Sequence, residues 1–87
     1  MAHHYPEIEK RLRQACGHLA GILAMMEDRQ DCQQLVQQLQ AVEGSIHKAK
    51  RLLIEEHVGH CILESLSHGD MDSEEAREKI ASLVKYL

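Results

Sequence analysis

This sequence predicts an all-α fold, on three observations. Its apolar residues are Leu, Ile, Val, Met and Ala, with no Phe or Trp and only two Tyr, so any core is built from residues that mostly suit helices. Two long stretches repeat their apolar residues at alternating spacings of four and three, the pattern of a helical seam. The single proline, Pro6, stands near the start and interrupts neither stretch. A chain of 87 residues supports a single domain, 1–87, with a modest core, and chains of this size commonly gain stability by self-association.

The first helix is expected over about 6–27, with a seam of Ile8, Leu12, Ala15, Leu19, Ile22 and Met26. Pro6 fits its first turn, where a missing N–H costs nothing. Gly17 and Gly21 weaken the helix slightly and leave room for another helix to come close. Cys16 adjoins the seam at Ala15 and reads as a packed thiol. Asp28, Arg29, Gln30 and Asp31 form a polar break. Asp31 with Gln34 has the spacing of a capping box, which starts a second helix near Cys32. That helix is expected over 32–66, on Leu35, Leu39, Val42, Ile46, Ala49 and Leu53 and onward through Ile54 and Val58. It would be roughly 50 Å long at 1.5 Å per residue. The first helix is too short to cover it, so another chain is expected to pack along the remainder. Ser67, His68, Gly69 and Asp70 read as a loop, and Asp72 with Glu75 as a second capping box. They open a third helix, expected over 73–86, with Ala76, Ile80, Leu83 and Leu87 on one face.

Composition narrows the function. No apolar run approaches the roughly 20 residues of a membrane span, and the N-terminus lacks the apolar stretch of a secretory signal, so a cytoplasmic location without membrane contact is expected. Three widely spaced cysteines do not form a disulfide framework, and a reducing compartment leaves them for metal or redox chemistry. Seven histidines are many for this length and point the same way. No His–carboxylate or Ser–His arrangement has an evident substrate pocket, so an enzyme is not expected.

His57 and Cys61 are four residues apart. On a helix they share one face, a turn apart, and can hold one ion. Cys32 stands 25 residues before His57 on the same expected helix, roughly 37 Å away along a continuous axis. Within one chain they cannot meet. An antiparallel second copy would bring them together, about a two-fold axis crossing the helix near Ser45 and Ile46, where Gly44 and Ser45 are small. Symmetry would then give two sites per homodimer, each with Cys32 from one chain and His57 and Cys61 from the other. Two thiolates and an imidazole suit Cu(I), or Zn(II), Ni(II) or Co(II) with an added ligand. His3 and His4 ahead of the first helix, and His60 beside Cys61, are the candidate additions. Glu56 and Glu64 bracket His60 and read as its surface partners, and His47 as a surface residue.

The residues that carry these features also carry a resemblance. R-L-R-x-x-x-G-H-L-x-G-I at Arg11 to Ile22, M-M-E-D-R-Q-D-C at Met25 to Cys32, Q-Q-L-Q-A-V at Gln37 to Val42 and L-L-I-E-E-H-V-G-H-C at Leu52 to Cys61 resemble the CsoR/RcnR/FrmR family of bacterial repressors. The resemblance implies a three-helix subunit that forms an antiparallel dimer and then a tetramer. It also implies a repressor that holds operator DNA when metal-free and releases it on binding its inducer. Cys32, His57 and Cys61 match the family's Cys-His-Cys ligand set, which in members with those three alone implies Cu(I). The family's nickel and cobalt sensors add an N-terminal His, which keeps His3 and His4 as candidates. Its formaldehyde sensors use an N-terminal proline where this chain has Ala2, and its persulfide sensors usually lack the histidine that stands here as His57.

The resemblance places DNA contacts on basic residues. Arg11 and Arg13 match, and Lys10, Lys48, Lys50 and Arg51 extend the set. Glu43 stands where many members are basic, and Ala20 where Arg is frequent. With a net charge of −4, phosphate contacts must come from local patches. Two readings remain: a metal-responsive repressor, or a helical metal buffer or carrier, or thiol-based sensor, on the same scaffold.

Overall fold

The computed structural model describes residues 5–67 and 74–87, with the side chains of residues 61 and 64–67 outside that description. His3, His4, His68, Gly69, Asp70 and Asp72, which the sequence assigns to ligand, loop and cap roles, lie outside the described residues. Three helices follow in order: α1 at Pro6–Glu27, α2 at Cys32–Ser67 and α3 at Glu74–Val84. No strand occurs among the described residues. Nor is any helix among them long and apolar enough to cross a membrane.

Local chemistry sets the helix ends. Pro6 opens α1, the Glu9 amide donates to the Tyr5 carbonyl at 2.8 Å, and Glu7 and Glu9 put negative charge in the first turn, where the helix dipole favours it. At the other end the Gln30 amide donates to the Met25 carbonyl (3.0 Å) and the Arg29 amide to Met26 (3.1 Å). Arg29 has φ 55°. This is a Schellman termination with Arg29 at the left-handed position that usually takes glycine. The Leu35 amide then reaches back to the Asp31 carbonyl at 3.1 Å, and α2 continues for 36 residues without a break. After α3 the chain closes on two short turns, Tyr86 to Leu83 and Leu87 to Val84, both at 3.0 Å.

The chain divides into two compact units, Met1–Ala49 and Lys50–Leu87, and α2 runs through the boundary. In the first unit α1 and the opening of α2 form an antiparallel hairpin. Its core is Ile8, Ala15 and Ile22 from α1 and Val42 and Ala49 from α2, each at most 5% exposed. In the second unit Ile54 is buried, and Ala76, Ile80 and Leu83 of α3 are half-buried.

This core takes only alternate members of each seam. Ile8, Ala15 and Ile22 are buried, whereas Leu12, Leu19 and Met26 are 39–48% exposed. On α2, Val42 and Ala49 are buried, whereas Leu39, Ile46 and Leu53 are 38–44% exposed. The buried sets recur every seven residues, and so do the exposed ones. Spacings of four and three make a seam as narrow as that of a coiled coil, and in this hairpin only one of its two heptad positions is buried. Cys16 also differs from its expected packing. It follows Ala15 and is turned to solvent, because one residue is about 100° of helix rotation.

Arg29 holds a backbone conformation unfavourable by about 1–2 kcal/mol for a residue with a β-carbon. Arg29→Gly should raise unfolding stability by about 0.5–1 kcal/mol, after the greater chain entropy of glycine is subtracted. Arg29→Val should lower it. Urea denaturation followed by circular dichroism checks both signs.

Candidate metal centre

The three expected ligands all lie on α2. Cys32 is its first residue and is exposed as a free thiol. His57 lies well inside the helix and is half-buried, and His60 is exposed. Cys61 follows His57 by one turn of continuous helix, and its side chain lies outside the described residues. Among the described residues no three His, Cys, Asp or Glu side chains gather into a group able to hold a metal ion. The donor types nonetheless fit one. An accessible thiol at a helix end and a His-x-x-x-Cys turn on regular helix offer two sulfurs and an imidazole nitrogen, the set that soft and borderline ions prefer.

The hairpin carries a polar contact that the sequence did not single out. His18 Nε2 lies 2.6 Å from Gln38 Oε1 in a part-buried position, linking α1 to α2. The acceptor is a carbonyl oxygen, so the imidazole donates. Both positions flank the buried seam, which is the signal that could have found them. His18 is three residues after Ala15 and four before Ile22, and Gln38 is four before Val42. Beside this contact an open cleft of about 270 Å³ is lined by Arg11, Gln14, Ala15, His18 and Ser45. Ser45 donates its hydroxyl to the Ala41 carbonyl at 3.2 Å.

The basic residues fall into two groups. Arg11, Arg13 and Arg51 each face a carboxylate one turn away: Glu7 at 3.9 Å, Glu9 at 2.8 Å and Glu55 at 3.7 Å. The hydrogen bond and charge of Glu9 push the Arg13 guanidinium above its already high ordinary value. The Nε of Arg11 is buried without a hydrogen-bond partner among the described residues. Lys10, Lys48 and Lys50 are exposed and make no ion pair among the described residues.

The chain is helical and carries thiol, imidazole and outward basic side chains, and comparison with known proteins gives its family. The profile described as metal-sensitive transcriptional repressor matches residues 4–87. The chain belongs to that family. It is 31% identical over 80 residues to the copper-sensing transcriptional repressor RicR of Mycobacterium tuberculosis (strain ATCC 25618 / H37Rv), covering 87% of this chain and 83% of that protein. It is 32% identical over 76 residues to the copper-sensing transcriptional repressor CsoR of Mycobacterium ulcerans (strain Agy99), covering 87% of this chain but 63% of that protein. In fold it is similar to the nickel-responsive transcriptional regulator InrS, with a TM-score of 0.86 over 100% of this chain and 97% of the other, at 22% identity.

The His18–Gln38 contact is worth testing by itself. His18→Ala and Gln38→Ala should each destabilise the fold. A double-mutant cycle should give a coupling of about 1 kcal/mol, the usual net value of one such bond.

Proposed function

We propose that this chain is a metal-responsive transcriptional repressor that binds operator DNA in its metal-free form and releases it when an ion binds between two subunits. Cu(I) is the favoured ion, and Ni(II), Co(II) and Zn(II) are the alternatives. One observation carries the proposal. Cys32 heads an unbroken helix that also bears His57 and Cys61. With a rise of 1.5 Å per residue, a ligand at the head of such a helix cannot reach a turn roughly 37 Å along it. An antiparallel copy removes the difficulty. The Cys32 end of one α2 then lies beside the His57/Cys61 turn of its partner. Copper-sensing relatives at 31% and 32% identity, and a two-thiolate, one-imidazole donor set, support Cu(I). His3, His4 and His60 remain the candidates for an ion that needs a fourth ligand.

The exposed stripes Leu12, Leu19 and Met26 on α1 and Leu39, Ile46 and Leu53 on α2 support a homodimer and a tetramer built from it. Apolar stripes of this length on helices are usually covered by another chain. With the ion bound, one subunit's Cys32 and its partner's His57 and Cys61 are tied together. Subunit arrangements that fit the tie are stabilised over those that fit DNA. That difference in affinity is what any such switch requires. Arg11, Arg13 and Lys10 on α1, with Lys48 and Arg51 on α2, are the proposed phosphate contacts.

One observation favours a second reading, a metal buffer or carrier that does not bind DNA. Arg11, Arg13 and Arg51 already face carboxylates of their own helix, and the net charge is −4. A mobility-shift titration on the chain's own promoter separates the two. The repressor reading expects a metal-free complex that weakens steeply with salt and dissociates on adding Cu(I). No shift at low salt would leave only the buffer.

The intersubunit site has its own test. Cys32→Ala and Cys61→Ala should each lose at least about a hundred-fold in Cu(I) affinity, of the order expected when one of three ligands is removed. Mixed in equal amounts, the two variants should regain one high-affinity site in about half of the dimers, roughly a quarter of the unaltered chain's capacity. Only a mixed dimer pairs an intact Cys32 with an intact His57/Cys61 turn. A mixture that binds no better than its components would rule out a ligand set shared between chains.

A further inference from the structure

α2 carries a second seam, which its own chain does not cover. Val36, Leu39, Glu43, Ile46, Lys50 and Leu53 follow one another at spacings of three and four, and all six are exposed. The four apolar members are 38–58% exposed. The two charged members have opposite signs and make no ion pair among the described residues. Their neighbour Arg51 does face a carboxylate, Glu55, at 3.7 Å. Gly44 is not small for its own chain's sake, since a β-carbon there would meet nothing within 4 Å.

We propose that this seam is covered by the same seam of a second copy, antiparallel, and that Glu43 of each chain pairs with Lys50 of the other to set the register. The proposal rests on the antiparallel dimer and adds what selects it. Charges within an apolar seam are costly unless each meets its opposite. About a two-fold axis, residues equidistant from one midpoint face each other. Glu43 and Lys50 share their midpoint, between Ile46 and His47, with Cys32 and Cys61. The register that sets the two thiols opposite each other, one residue along from an axis near Ser45 and Ile46, therefore also sets Glu43 opposite Lys50, twice per dimer. Two kinds of competing arrangement juxtapose like charges. A parallel pair in register sets Glu43 on Glu43 and Lys50 on Lys50. Sliding the antiparallel pair by one heptad sets Glu43 on Glu43 in one direction and Lys50 on Lys50 in the other. One glutamate and one lysine thus act against the parallel pair and against whole-heptad slips, as polar groups within a helical seam do. Lys50 then serves the dimer rather than operator phosphate.

Sedimentation equilibrium of the full chain tests the pairing, with circular dichroism to check that each variant remains helical. Glu43→Lys and Lys50→Glu should each weaken self-association by at least about ten-fold, because symmetry replaces two attractions with two repulsions. An equimolar mixture of the two should associate within about three-fold of the unaltered chain. A mixture of Glu43→Lys with Lys48→Glu changes net charge equally and should not recover. Reversals without effect, or recovery no better than in the Lys48 mixture, would remove the pair and leave the dimer standing. An unaltered chain that stays monomeric throughout would remove the dimer itself, and the pair with it.

Discussion

The unbroken course of α2 constrains everything else in this protein. It has 36 residues, against 22 in α1. A helix cannot be lined along its length by one much shorter. The hairpin buries one heptad position of each helix and leaves the next exposed. The buried residues are modest, with two alanines among Ile8, Ala15, Ile22, Val42 and Ala49. Each fully buried Ile or Val contributes roughly 1.5–3 kcal/mol, so this core is thin beside the entropy of ordering the chain. The proposed self-association would add to it.

The same continuity gives the metal reading its form. Ligands on a rigid helix are held more narrowly than ligands on loops. On α2 the candidate ligands stand at the head and in the second half. The proposed site, built from both, would borrow from another chain. Under that proposal ligand binding and subunit arrangement would be one equilibrium, and affinity for the ion a bias among assemblies.

Electrostatics bears on DNA binding through magnitudes. The acidic chain and the carboxylates facing Arg11, Arg13 and Arg51 look like obstacles. Exposed pairs one helical turn apart are worth only about 0.3–0.5 kcal/mol. Exchanging a carboxylate for a phosphate costs little and releases condensed counterions. The arginines are therefore lightly engaged rather than committed, and a net charge of −4 limits binding to those faces where the basic residues gather.

The helices and their ends were legible in the sequence, because they follow from local rules. Seam spacing, the place of Pro6 and the polar break at Asp28 to Asp31 located α1 and the start of α2. The sequence also named candidate ligands, since Cys and His at helical spacing carry their chemistry with them, and their assembly is a proposal that rests on a second chain. What the sequence could not divide was the seam. Spacings of four and three mark a stripe without saying which half a neighbour takes, and only the packing of α1 on α2 buried Ile22 while exposing Leu19. The same packing turned Cys16 outward and joined His18 to Gln38, a contact between residues twenty apart. Local structure depends on neighbours along the chain, so residue order alone determined it. Burial and cross-helix contacts depend on which surfaces meet, and only the tertiary structure decided those.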